Sequence, residues 1–289
     1  MRRALTFLII AAGLAAATAQ QPAVPDAADP VLTIVFKDGR RVQSSAVRLQ
    51  GGTLMSAVTD KGIKGEIGYP LDTVQKVEFP MPSQLQTAAA LLAGNKPIDA
   101  IAQIEPVLKS YYPLRAIPGN WWPQLAMLRL NAMVLTGRGS DARPLITELA
   151  HSAADGETMQ AIRVEEAAAW VREGSPDKAV AQLESVIRET SRPDIAARAW
   201  VETGNGLSAL KRWEPALLAY LHVPVFYPGQ KNLLPAALLG SARSLAGIED
   251  VDSAKDRLQE IIDNYPASPE AVSARTELDK LNKTNPNRT

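Results

Sequence analysis

The chain is predicted to be mainly α-helical, a solenoid of stacked helix pairs behind a small β-rich module. Two features carry the solenoid. An alanine returns at Ala100, Ala142, Ala179, Ala216 and Ala254, at spacings of 42, 37, 37 and 38 residues. Each is followed four residues later by a larger apolar residue, namely Ile104, Ile146, Leu183, Tyr220 and Leu258. A recurrence of that length is the signature of paired helices that bury each other's apolar faces. The β module is read from a third feature: between residues 31 and 79 the helical periodicity gives way to short alternating runs separated by glycines.

The chain opens on a targeting signal. Arg2 and Arg3 precede an apolar run from Ala4 to Ala17, and Ala17-Thr18-Ala19 is a small-x-small cleavage site. Residues 1–19 are therefore expected to be a signal peptide, removed before Gln20. The run is too short to span a bilayer and Gln20-Gln21-Pro22 follows it at once. The paired arginines lack the rest of a twin-arginine pattern, so ordinary export is expected. The chain has no cysteine, which excludes disulfides, thiolate metal sites and lipid attachment to a cysteine after cleavage. An exported chain without disulfides fits a bacterial periplasm. Residues 20–30 are rich in Pro and Ala and are expected to form a flexible leader.

From Val31 the pattern is that of strands. Leu32, Ile34 and Phe36 alternate, and Asp38-Gly39 marks a tight turn. Further apolar runs cover 42–49, 53–58, 63–69 and 73–79, separated by Gly51-Gly52 and Lys61-Gly62. Five short strands within residues 31–80 predict a small five-stranded β-barrel or curled sheet. The KDGRRV hairpin at 37–42 and the closing LDTVQKVEF at 71–79 resemble the small SH3-like or Sm-like barrels. A module of this size is marginal alone. Only Pro80-Met81-Pro82 separates it from the first helix at Ser83, so it is expected to pack on the first repeat.

Helix pairs are expected from 83 to 268. The clearest carries Trp200, Thr203-Gly204, Leu207, Ala216, Tyr220 and Pro228. That unit resembles the tetratricopeptide repeat, in which a tryptophan, a Leu-Gly pair, a second alanine and a closing proline recur. The next unit matches through Leu238, Ala242, Leu245, Ala254, Leu258, Ile261 and Pro266, and the one before through Ala167, Trp170, Ala179, Leu183 and Val186. The first unit carries Ala88, Leu91, Ala100, Ile104 and Val107; the second is the weakest, with Leu130 where a small residue is expected. The resemblance implies five helix pairs wound into a right-handed superhelix. Ser175-Pro176 and Ser268-Pro269 read as caps followed by a first-turn proline. Residues 269–281 are expected to form a capping helix and 282–289 a disordered tail. Pro106 and Pro224 predict a kink or an early end in their helices.

The chemistry of the sequence is sparse. The chain has 31 basic and 31 acidic residues, and residues 31–80 carry seven basic against five acidic, which is not the footprint of a nucleic-acid binder. The two histidines, His151 and His222, have no second ligand at metal spacing. Gly137-Arg138-Gly139 and Gly204-Asn205-Gly206 lack the preceding strand that a phosphate loop requires. No nucleophile-elbow, zinc-protease or phosphate-loop motif occurs. The expectation is a non-enzymatic chain without metal or cofactor.

In tetratricopeptide proteins the first helix of each pair lines a concave groove. By that register the groove here would present Asn131, Val164, Arg198, Asn205 and Arg243. Met127, Glu165 and Glu202 stand where the repeats that clamp a terminal carboxylate carry basic or amide groups, so that activity is not implied. The partner expected is an unidentified protein or extended peptide, with no nucleic acid and no membrane span. The LQEIIDNYP ending of the last unit resembles envelope-biogenesis proteins built on the same repeat. A second reading, a cell-wall or carbohydrate-binding accessory or an unusual enzyme on that substrate, rests on the compartment and on exposure of Trp121-Trp122, beside Tyr111-Tyr112; the favoured role of that cluster is to staple a long inter-repeat loop onto the core.

Overall fold

The computed structural model describes residues 31–60, 63–152 and 156–284. The expected signal peptide and leader lie outside those residues, as does the expected tail from 285 onward, whereas its first positions, 282–284, belong to the last helix. Six strands and eleven helices are present among them: β1 (Leu32–Phe36), β2 (Arg41–Ser44), β3 (Val47–Gln50), β4 (Thr53–Asp60), β5 (Ile63–Pro70), β6 (Val74–Glu78), then α1 (Ser83–Ala93), α2 (Pro97–Tyr111), α3 (Trp122–Leu135), α4 (Gly139–Ser152), α5 (Gly156–Arg172), α6 (Pro176–Glu189), α7 (Pro193–Ala209), α8 (Trp213–Phe226), α9 (Leu234–Gly247), α10 (Val251–Asn264) and α11 (Pro269–Thr284).

The β module has six strands in place of the five expected, and it is not a closed barrel. Two antiparallel three-stranded sheets, ordered β2-β1-β6 and β3-β4-β5, enclose Leu32, Ile34, Phe36, Leu54, Val74 and Val77. The apolar run at 42–49 divides because the chain changes sheets within it. Buried Ser44 turns the corner, its hydroxyl donating to the carbonyl oxygens of Ala46 (2.6 Å) and Ala57 (3.1 Å). The β core is completed from the helical part. Ile117, fully buried, and Leu114 enter it from the α2–α3 connection.

That connection joins the two parts. The Val77 N–H donates to the Pro118 carbonyl (2.8 Å), and the Trp121 indole N–H donates to the Phe79 carbonyl (3.1 Å). Gly119 sits at φ +86°, and a Cβ there would lie 2.4 Å from the Val77 carbonyl oxygen. Only glycine lets the two backbones approach so closely.

The helices form a tetratricopeptide-like solenoid of five consecutive pairs and a final single helix. All five phased alanines are completely buried, and Ile104, Leu183, Tyr220 and Leu258 are buried beside them. Ile146, from the weakest unit, is only partly buried. A second phase runs five residues ahead of the alanines. Asn95, Gly137, Gly174, Lys211 and Glu249 all adopt positive φ, each in the turn inside its pair. In every such turn the residue after it donates to a carbonyl five residues back, as from Lys96 to Leu91 and from Asp250 to Leu245. These are Schellman turns, which stop the first helix and reverse the chain the same way each time.

Small residues set the spacing between pairs. The Tyr220 ring lies between Gly204 on α7 and Gly240 on α9, where added Cβ atoms would fall 2.5 and 2.3 Å from it. Gly247 faces Trp213 in the same manner. Neither proline ends its helix, since α2 continues through Pro106 to Tyr111 and α8 through Pro224 to Phe226. Each proline removes one donor to a carbonyl four residues back. Of the two serine caps, Ser268 accepts from the Ala271 N–H (3.2 Å), whereas Ser175 caps through its backbone carbonyl alone.

Candidate functional site

Alternate helices touch along the repeat. α1 meets α3, α3 meets α5, α5 meets α7, and α7 meets α9, so the first helices of the pairs form a continuous inner layer. That layer lines a groove of two joined compartments. One, of about 460 Å³, is mainly apolar, walled by Leu85, Ala89, Met127, Leu128, Ala161 and Ile195, with Glu157, Arg192 and Asp194 also lining it. The other, of about 960 Å³, shares Ala89, Met127 and Leu128 with it and extends to the α8–α9 connection and the α10–α11 turn at 264–270. The arc of helices thus brings its first and last pairs to opposite walls of one groove.

The five residues expected at the groove divide. Asn131, Arg198 and Arg243 line the larger compartment. Val164 does not: it is 1% exposed and packs with Ala167, Leu183 and Ile195 between helices. Its neighbour Glu165 takes the groove position. One residue along a helix turns the side chain by about 100°, so an error of one position moves it from groove to core. Asn205 also lies away from the groove walls, and its side chain is spent inside the stack. Its amide N–H donates to Glu202 (2.9 Å) and its oxygen accepts from the Tyr220 hydroxyl (2.8 Å).

These side chains form one network across three pairs. Asn131 on α3 donates to Glu165 on α5 (3.2 Å). Glu165 Oε1 lies 3.4 Å from Arg198 Nε on α7, and Arg198 Nη2 lies 3.0 Å from Glu202 Oε1 one turn on. Arg172 stands 3.9 Å from the other oxygen of Glu202. Glu165 and Glu202 are 6% and 1% exposed. The Arg198 pairs are close but poorly aligned, so that Nε and Nη2 make no directed hydrogen bond, and Glu165 Oε2 has no donor among the described residues. Burial works against the Arg198 charge, but the carboxylates of Glu165 and Glu202 outweigh it and hold its pKa above the ordinary guanidinium value. Burial likewise pushes the Tyr220 phenol up to about 12 from 10.0, with Glu202 adding to the effect and Ser208 opposing it.

Arg198 is thereby committed within the protein. Arg243 is committed differently, at the surface: it holds Glu277 of α11 through two nitrogens, at 2.6 and 3.0 Å. Lys231, exposed at the rim, forms no ion pair among the described residues. The sequence reading set Glu165 at a clamp-type groove position without counting it among the binding candidates, and it missed Lys231 and the α10–α11 turn. For Glu165 the signal was present, a charged residue in the register of the inner layer.

The aromatic pair is largely structural. Trp122 is 1% exposed in the core of the first repeats, and Trp121 ties the β module to the solenoid. Trp121 nonetheless edges a separate cleft of about 960 Å³ with Glu148 and His151. Glu148 there is held by Arg115 (3.2 Å). His151 and His222 each place Nδ1 on the carbonyl four residues back, at 2.7 and 2.8 Å. Among the described residues no three His, Asp or Glu side chains converge as metal ligands. No helix there is long and apolar enough to cross a membrane.

A comparison with curated proteins returns no match. The tetratricopeptide repeat family profile matches residues 236–268, which are the fifth helix pair with its closing turn. That pair is similar to a tetratricopeptide repeat, an architecture that serves as a protein–protein interaction scaffold.

Proposed function

We propose that this chain is an exported, non-enzymatic adaptor of the bacterial envelope, which holds an extended segment of another protein in its inner groove. The observation that carries this reading is the groove itself. It places an apolar compartment beside a polar one along a single inner layer, so an extended segment can bury a side chain in the first while its backbone meets Asn131 and the α10–α11 turn in the second. Its charged groups are largely paired with one another, which suits recognition by shape and hydrogen bonding. Export to the periplasm rests on the sequence of residues 1–19.

Affinity capture from a periplasmic extract, with wild-type protein and Ala89→Trp in parallel, tests the proposal. Ala89 is exposed and borders both compartments, so a tryptophan fills the groove without entering the core. Partners retained by the wild type and lost from the variant support the groove. Equal capture by both removes it as the binding surface.

A second reading keeps one observation, the cleft that Trp121 shares with Glu148 and His151. An aromatic face beside a carboxylate and an imidazole suits a sugar ring. Calorimetric titration with soluble cell-wall fragments against Trp121→Ala distinguishes it, and absence of heat in the wild type disposes of it.

A further inference from the structure

The β module leaves one long strand edge open. The outer edge of β6 is met by the α2–α3 connection through Val77 and Pro118, and β2 and β3 are only four residues long each. β5 is different. β4 pairs along its entire length on one side, and no backbone hydrogen bond reaches its other side among the described residues. Residues 64–68 are all exposed, Ile67 at 46%.

The hydrogen-bond phase shows which groups face outward. The Leu71 N–H donates to the Gly52 carbonyl at 3.0 Å, so 52 and 71 are a bonded pair. Antiparallel alternation then makes Leu54–Tyr69, Ser56–Ile67 and Val58–Gly65 bonded pairs. The backbone N–H and C=O of Lys64, Glu66 and Gly68 therefore point away from β4. Pro70, which has no N–H, falls in the same outward set and ends the usable edge.

We propose that two copies of this chain associate through β5, antiparallel about a twofold axis at Gly65, joining their three-stranded sheets into one of six strands. In that register Lys64 pairs with the partner's Glu66, and Glu66 with the partner's Lys64, each through outward-facing backbone groups. The pair at the axis is Gly65 with the partner's Gly65, a close non-bonded position where the absence of a side chain admits the second strand. Charge selects this register. The neighbouring allowed registers, one pair to either side, set Lys64 against the partner's Lys64 or Glu66 against the partner's Glu66, and like charges directly opposed disfavour pairing. Arg48 already holds Glu66 through two bonds, at 3.0 and 2.6 Å, which fixes that carboxylate on the sheet face. The sequence Lys-Gly-Glu is thus self-complementary when read antiparallel to itself.

A single strand pair buries less than a standard interface, so the dimer is expected to be populated only above roughly micromolar concentration. Sedimentation velocity of the mature chain from about 1 to 300 µM reads it directly. The expected result is a concentration-dependent dimer, weakened at least tenfold by Lys64→Glu, which opposes two glutamates and leaves the Arg48–Glu66 contact intact. Glu66→Lys should weaken it similarly. The double variant Lys64→Glu/Glu66→Lys restores opposite charges and should recover the dimer. A monomer throughout that range, a dimer indifferent to both single changes, or a folded double variant that stays monomeric would each overturn the proposal.

Discussion

Replacing Arg198 with alanine should unfold the solenoid more readily rather than merely weaken a ligand. The guanidinium is the nearest cation to two carboxylates, Glu165 at 3.4 Å and Glu202 at 3.0 Å, which are 6% and 1% exposed. Its removal leaves Glu165 with one amide donor, from Asn131, and Glu202 with Asn205 and the more distant Arg172. Breaking a buried pair from one side costs about 3–5 kcal/mol, because the remaining charge is uncompensated. For a helical body of this size each kcal/mol lowers the midpoint by about 2–4 °C, so the loss should be about 6–20 °C. Circular dichroism melts at neutral pH measure it. Adding Glu165→Gln to Arg198→Ala removes one of the stranded charges and should restore part of the loss, and the double-mutant cycle isolates the coupling. A shift of less than about 2 °C, or no recovery in the double variant, would refute the reasoning and return Arg198 to the groove as a free ligand-binding group.

Three further outcomes follow from the packing. Gly204→Ala and Gly240→Ala each drive a Cβ into the Tyr220 ring, at 2.5 and 2.3 Å, and should destabilise by about 1–3 kcal/mol, with Tyr220→Leu recovering part in chemical denaturation. The Tyr220 phenol titrates near 12 in the folded chain against 10.0 unfolded, so its contribution is fully present below pH 10 and is lost as pH rises through 12. Tyr111 and Tyr112 are raised as well, so the test is the difference: ultraviolet titration should lose a late component in Tyr220→Phe, and a titration curve unchanged by that substitution contradicts the assignment. Gly119→Ala must push against the Val77 carbonyl at 2.4 Å and should loosen the β module from the solenoid. Hydrogen exchange would then rise across 31–79 while helical content stays constant, and equal protection in variant and wild type would show that the junction tolerates the side chain.

The helical architecture was legible in the sequence because a repeat constrains each unit locally. Each phased alanine must be small where two helices cross, and each is fully buried. Val164 and Glu165 mark where such reading ends, since the repeat gives the helix and its period but one residue of phase separates core from groove. The six-strand count escaped it as well, because the break at Ser44–Ala46 is set by hydrogen bonds to β4, not by the apolar pattern of 42–49. Gly240 went unread because its meaning depends on Tyr220, twenty residues earlier, lying across it.

By itself, then, the sequence determined the period, the small contacts between helices and the presence of a strand-rich module. Those are properties of neighbours along the chain, fixed by side-chain size and backbone preference. Only the tertiary structure decided that Asn131, Glu165, Arg198 and Glu202 meet, that Ile117 completes the β core, and that β5 keeps a free edge. The reason is physical. Charge pairing, cross-module burial and strand exposure depend on groups brought together from about 30 to 80 residues apart, and their energies exist only once the pairs have stacked.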